Sequence, residues 1–562
     1  MASAPAKGAT GMTSERRGRY VLWTILVVLV CCITASGASA RVSAARASGG
    51  TATLTVAAFQ SLDPQIGFLT TNSMVEYVVY TPLLTFAHAN GVAGTVLIPG
   101  LATALPKVSN GGLTYTLTLR KGLKYSDGSP VKASDFLHAV ERALKLNWGG
   151  DSFLTADIVG ASDYQAGKAS GVSGISANDR SGKITIRLIQ GDSAFSDILA
   201  FTGLALVPGS TPMTDQGANP PPGVGAYKLV NVVPGQGFDL VKNSTFASLH
   251  LPGIPTGYLS EIKVNVVSNA LTAAEDVLNN QSDAFDPSGV IQPALIDPIK
   301  SQASDRFRAE PGEALQYLFF NTSIPPFNNK AARVAVTYAF DRGAVARLES
   351  GFLQPGCYIL PLAFPGHPSQ PCPYGSPTGA PNVSKAKAMI AAAHLTGSSV
   401  TVYSQAADPY QEIGAYYVSV LNSIGFSASL KLLAPAIYYP TTANPTLHIQ
   451  TGFAAYHADY ANPTTFYHLL DGRTITPTFS VNRDQLNDSH VQSVLQKLQP
   501  LPLSQSVVAQ WTALDRYAAQ QAFWFVIGYP KSPEFFSNRI NIKKAIFSQR
   551  YLDDLSSWQL NK

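Results

Sequence analysis

From Leu113 to Leu119 the chain reads LTYTLTL, with Leu113, Tyr115, Leu117 and Leu119 alternating with three threonines. A period of two puts the apolar row on one face and the hydroxyls on the other, which predicts a half-buried strand. Asp127-Gly128 supplies the next turn. The period then changes. In ASDFLHAVERAL (133–144), Phe136, Leu137, Val140 and Leu144 fall on one helical stripe. Asp135 lies in its first turn, where the helix dipole favours an acid.

The same two signatures recur. Strands are predicted at TLTVAAF (53–59), KITIRLI (183–189), EIKVNVV (261–267), LQYLFFN (315–321), SVTVYSQ (399–405) and SASLKLL (427–433). Helices are predicted at 75–81, ended by Pro82, and at 271–280, 386–395 and 412–424, the last closed by Gly425. A further helix carries Val334, Tyr338 and Val345 on one side. The turn-rich stretch 208–227 reads as a crossing between lobes. Strand–helix alternation of this kind predicts an α/β fold.

Length and composition narrow the class. A chain of 562 residues can bury more than one core. Arg16, Arg17 and Arg19 precede an apolar run, Val21 to Thr34, followed by small residues at Ala38–Ala40. This reads as an export signal, cleaved after about residue 40, with an uncleaved anchor as the alternative. Val30 stands before Cys31 where lipid attachment wants a small residue, so lipidation is not expected. The first forty residues hold four basic groups and one acid, which leaves a nearly neutral body with no basic run to track phosphates. Nucleic acid is therefore not an expected partner. Beyond the first forty residues the only cysteines are Cys357 and Cys372, around a proline-rich loop. In an oxidising compartment a disulfide is expected, with two buried thiols as the alternative.

The chain contains no G-x-S-x-G, H-E-x-x-H, P-loop or C-x-x-C motif. The stretch YHADYANPTTF (456–466) is the one that invites chemistry, because Asp459 lies among aromatic residues with His457 two positions away. Three readings stand: a loop cap, a metal ligand or acid–base partner of His457, and a docking point for a cation in an aromatic cleft. No third ligand group is evident, so no metal or cofactor is expected.

Six blocks in order resemble one family. They are SLDPQ, YTPLLTF, LTYTLTLRKGLKYSDGSPVKASDF, GVGAYKLV, FFNTSIPPFNNKAARVAVTYAFDR and YHADYANPTTF. Together they are similar to the extracytoplasmic solute-binding proteins of ABC importers, in the subclass that includes dipeptide-, oligopeptide- and nickel-binding members. The resemblance implies a two-lobe, periplasmic-binding-protein-like clamp of type II with a subdomain inserted in the first lobe. It places lobe I at 51–314, with the inserted subdomain at about 87–215, lobe II at 315–522, and a C-terminal return to lobe I at 523–562. It implies hinge closure on a ligand, no catalysis, a membrane permease as partner and action as a monomer outside the cytoplasm.

In peptide-binding members the aspartate at the position of Asp459 pairs with the ligand's α-ammonium. The strand Tyr456, His457 and Ala458, and the segment Phe68, Leu69 and Thr70, would sandwich an extended peptide. The chain departs from the family pattern at Tyr456 (usually Trp), Ala226 (usually Pro), Lys132 and Asn329. Arg473 and Arg483 are candidates for a ligand carboxylate. A sugar, amino-derived compound or metal complex bound by the same fold, and an exported hydrolase using His457 and Asp459, are the alternatives.

Overall fold

The computed structural model describes residues 49–561, except 57–58, 268, 286–292, 363 and 477–478. The expected export segment and Cys31 lie outside the described residues.

β1 (Thr51–Val56) starts the first sheet. The chain then leaves to build a separate antiparallel sheet from β2 (Lys107–Ser109), β3 (Thr114–Thr118), β4 (Ile175–Asn178) and β5 (Lys183–Arg187), ordered β2-β3-β5-β4. Tyr115 and Leu117 point into its core while the threonines stay accessible, as the period of two requires. The helix Ser134–Lys145 packs here, with Phe136, Val140 and Leu144 buried. The chain rejoins the first sheet through β6 (Tyr227–Val233), β7 (Gly237–Lys242), β8 (Glu261–Val266) and β9 (Ala284–Phe285), giving the order β9-β1-β8-β7-β6. Both sheets share one core. The stretch 208–227 therefore links two parts of the first lobe and is not a crossing between lobes.

The second sheet contains β10 (Phe307–Pro311), β11 (Ala314–Phe320), β12 (Ser399–Gln405), β13 (Ser427–Leu433), β14 (Thr451–His457) and β15 (Trp524–Phe535), in the order β10-β15-β11-β14-β12-β13. Along β11, Leu315, Tyr317 and Phe319 enter one core and Leu318 and Phe320 the other. A strand covered on both faces reads as a nearly continuous apolar run, which is the pattern of ALQYLFF.

β15 corrects the expected boundary at 523. It lies between β10 and β11, and the chain rejoins the first lobe only from Phe536, which bridges to Ala284. Phe547, Tyr551 and Trp558 then bury themselves in the first core. β10 and β15 run antiparallel from Phe307↔Phe535 to Pro311↔Lys531, and Arg308 is paired with Glu534 across them. Both passages of the chain between the lobes run through this ribbon. Cys357 and Cys372 are joined by a disulfide.

Candidate ligand-binding site

β14 ends at His457, and Asp459 follows on the loop that faces the first lobe. The Asp459 N–H donates to Thr465 Oγ1 at 2.9 Å. Its carboxylate accepts a hydrogen bond from the Tyr456 hydroxyl. Among the described residues it forms no ion pair and caps no backbone amide. The capping role falls to Asn462, whose Oδ1 accepts from Thr464 N at 3.1 Å. Asp459 is half-buried, and of its two carboxylate oxygens only Oδ2 carries a hydrogen bond among the described residues.

His457 does not bond to Asp459. Its Nδ1 lies 3.0 Å from Ala458 O. Its edge reaches solvent, but the cleft walls and the neighbouring Arg550 guanidinium push the imidazole down to about 4. A neutral ring turned away from the acid is poorly placed to share a proton or a metal with it. Burial and the adjacent Asp459 push the Tyr456 phenol well above its ordinary range, so it remains a donor to the carboxylate.

The segment expected to form the other wall behaves differently. Phe68 meets Trp148 and Phe201 edge-on, at 5.3 and 6.5 Å. Leu69 is extended and 53% exposed, but Thr70 already begins the helix Thr70–Val79, and Ser73 N donates to Leu69 O at 3.0 Å. Three residues of extended edge are not available there. A run of rings nonetheless joins this wall to the site: Phe201 meets Phe153 at 5.6 Å, and Phe153 meets Tyr460 at 5.9 Å.

Ala458 is also corrected. Its N–H donates to Glu313 O at 2.8 Å, and its carbonyl accepts from Arg550 Nη1 at 2.5 Å. Neither main-chain group is free to pair with a ligand. Arg550 itself was not legible as a site residue. It comes from the C-terminal return and lies over Phe201 at 5.3 Å. Arg473 is held by Asp471 at 2.6 Å. Arg483 donates through Nε to Thr442 Oγ1 at 3.1 Å and lies 5.1 Å from the Tyr439 ring centre, with no ion pair among the described residues.

The lobes touch around the site. Ser193 N donates to Gln499 O at 2.9 Å, and Asn462 Nδ2 to Ser193 Oγ at 3.3 Å. A groove of about 610 Å³ on the first lobe, lined by Asp127, Lys132, Asp135 and Pro208–Pro212 among others, contains none of these residues.

Residues 96–477 match the family model of bacterial extracellular solute-binding proteins, family 5 middle. The chain belongs to this family. Among curated proteins, this solute-binding protein is 28% identical over 306 residues to the glutathione-binding protein GsiB of Salmonella choleraesuis (strain SC-B67), covering 53% of each chain. The chain spans about half the length of the curated relatives it matches. Among solved structures it resembles clavulanic acid biosynthesis oligopeptide binding protein 2, with a TM-score of 0.82 at 22% identity over 92% of this chain and 96% of that one. It also resembles the unliganded open form of the periplasmic murein tripeptide binding protein MppA, with a TM-score of 0.77 at 20% identity over 91% and 97%. These likenesses show a two-lobe clamp. Among the described residues no helix is long and apolar enough to cross a membrane.

Proposed function

We propose that this solute-binding protein captures peptides outside the cytoplasmic membrane and delivers them to the permease of an ABC importer, acting as a monomer carried out by its N-terminal segment. The observation that supports this reading is Asp459. It is a half-buried carboxylate at the meeting of the lobes, oriented by the Tyr456 hydroxyl and in no ion pair among the described residues. An α-ammonium is the partner that such a group lacks. Among the described residues no strand covers the β14 edge past Gly452, and this partly free edge offers main-chain hydrogen bonds that read no side chain. The peptide STSA held by DppA of Helicobacter pylori, and the glutathione for which GsiB is named, each carry such an ammonium.

Calorimetric titration of the purified chain with free and N-acetylated short peptides, and with glutathione, tests the reading. Asp459→Ala is expected to weaken free-ammonium peptides by about tenfold or more, the worth of one hydrogen-bonded charge, and to leave acetylated ones unchanged. Equal losses for both sets would remove the ammonium role. Binding of sugars and of no peptide would replace the reading altogether.

A further inference from the structure

The edge of β14 is only partly free, and what closes it can be followed residue by residue. Ala458 N–H donates to Glu313 O, which sets the phase of the antiparallel ladder between β11 and β14. The main-chain groups of Ala454, Tyr456 and Ala458 therefore face β11, and those of Phe453, Ala455 and His457 face away. On that far side β12 pairs only with Thr451 and Gly452. Past Gly452, no strand among the described residues covers the edge as it runs towards Asp459.

The helix Pro435–Thr442 closes the edge from the other end. Tyr438, fully buried, donates to Phe453 O at 2.5 Å and to Tyr403 O at 3.1 Å. The Tyr439 hydroxyl accepts from Ala455 N at 3.4 Å, at the weak limit for such a bond. The Tyr439 ring is braced by Tyr438 at 5.3 Å and by the Arg483 guanidinium at 5.1 Å. Two hydroxyls thus take the place of a partner strand, the inner one tightly and the outer one loosely.

We propose that Tyr439 is a length stop, so that the site takes peptides of about three residues, the span of free edge between Asp459 and Ala455 at about 3.3 Å per residue. The inference rests on the peptide reading above and adds the ligand class. A strand anchored by its ammonium at Asp459 uses the groups of His457, can replace the weak bond at Ala455, and then meets the Tyr439 ring. Arg483, held behind that ring by Thr442, places a positive charge where the ligand's carboxylate ends. Asp459 and Arg483 would then mark the two ends of one short zwitterion.

The test is a length series of alanine peptides, from two to six residues, titrated calorimetrically into the full chain. Wild type is expected to bind best at three residues and to lose about tenfold by five, because an overlong strand gives up roughly two main-chain bonds. Tyr439→Ala should move the optimum to a longer peptide. Tyr439→Phe, which keeps the ring and removes only the hydroxyl, should keep the wild-type optimum. A wild-type profile that does not fall with length overturns the stop, as does an unchanged optimum in folded Tyr439→Ala. If Tyr439→Ala fails to fold, Tyr439→Leu shortens the reach while keeping apolar contact and carries the same two outcomes. Binding by no peptide of any length would overturn the peptide reading as well, whereas a flat profile overturns the stop alone.

Discussion

Arg550 donates to the carbonyl of Ala458 at 2.5 Å, so the last segment of the chain grips the strand end that carries Asp459. The guanidinium lies over Phe201 at 5.3 Å and Tyr551 at 5.9 Å, which fixes its plane. Arg550→Ala leaves a buried carbonyl dependent on His457 alone and removes these stacks. The expected cost is about 1–3 kcal/mol of unfolding free energy, with weaker ligand capture. Arg550→Lys should recover only part, because a point charge does not reproduce a stacked planar fork. Urea denaturation and a binding titration check both statements. A wild-type midpoint for Arg550→Ala would show that the grip contributes nothing.

Glu313 gives a pH dependence with a definite sign. Its side chain is buried, with neither carboxylate oxygen hydrogen-bonded among the described residues. Burial pushes the carboxyl up to about 7, with the Arg550 charge opposing. An acid whose folded pKa is raised holds a proton in the folded state that the unfolded chain has released. Its contribution is therefore complete below about pH 4.5 and is lost as the pH rises through about 7. Glu313→Gln keeps the shape and cannot ionise. It should match wild type near pH 4.5 and exceed it at pH 8 by about 3 kcal/mol at most. Equal stability of the two proteins at pH 8, measured by denaturant melts, would contradict this account of Glu313.

The Cys357–Cys372 disulfide closes a loop whose ends are 15 residues apart. Asp515 already holds the loop by accepting from Ile359 N at 2.9 Å and Leu360 N at 3.1 Å. The bond therefore acts on the unfolded chain more than on the folded loop. Replacing both cysteines by serine should lower the unfolding free energy by about 3 kcal/mol, the loop-closure value for this length. Melting with and without reductant measures it, and an unchanged melting temperature would mean that the loop is ordered equally well in the unfolded chain.

Periodicity carried the local structure well. LTYTLTL is a strand and the stripe Phe136–Leu144 is a buried helix face because each is decided by neighbours in sequence. Asn329, a departure from the family pattern, still caps its helix, since its Oδ1 accepts from Ala331 N at 2.8 Å. The misplaced boundary at 523 has a different origin. WFVIGY announces a strand buried on both faces but not which sheet it joins, and β15 joins the second. Asp459 stood out as a candidate in the sequence because the block around it is contiguous. Arg550 and Tyr439 were not, because only the return of the chain and the register of β14 bring them to it. A free strand edge is a property of pairing, and pairing is not written in the strand's own residues.

The β10–β15 ribbon sets how the two lobes can travel. Sliding one strand past the other would break the ladder and separate Arg308 from Glu534, whereas bending the pair leaves both intact. The lobes are left with one soft coordinate, a swing. A ligand that closed the clamp would therefore be reported at its far rims as a change of angle and not as a translation.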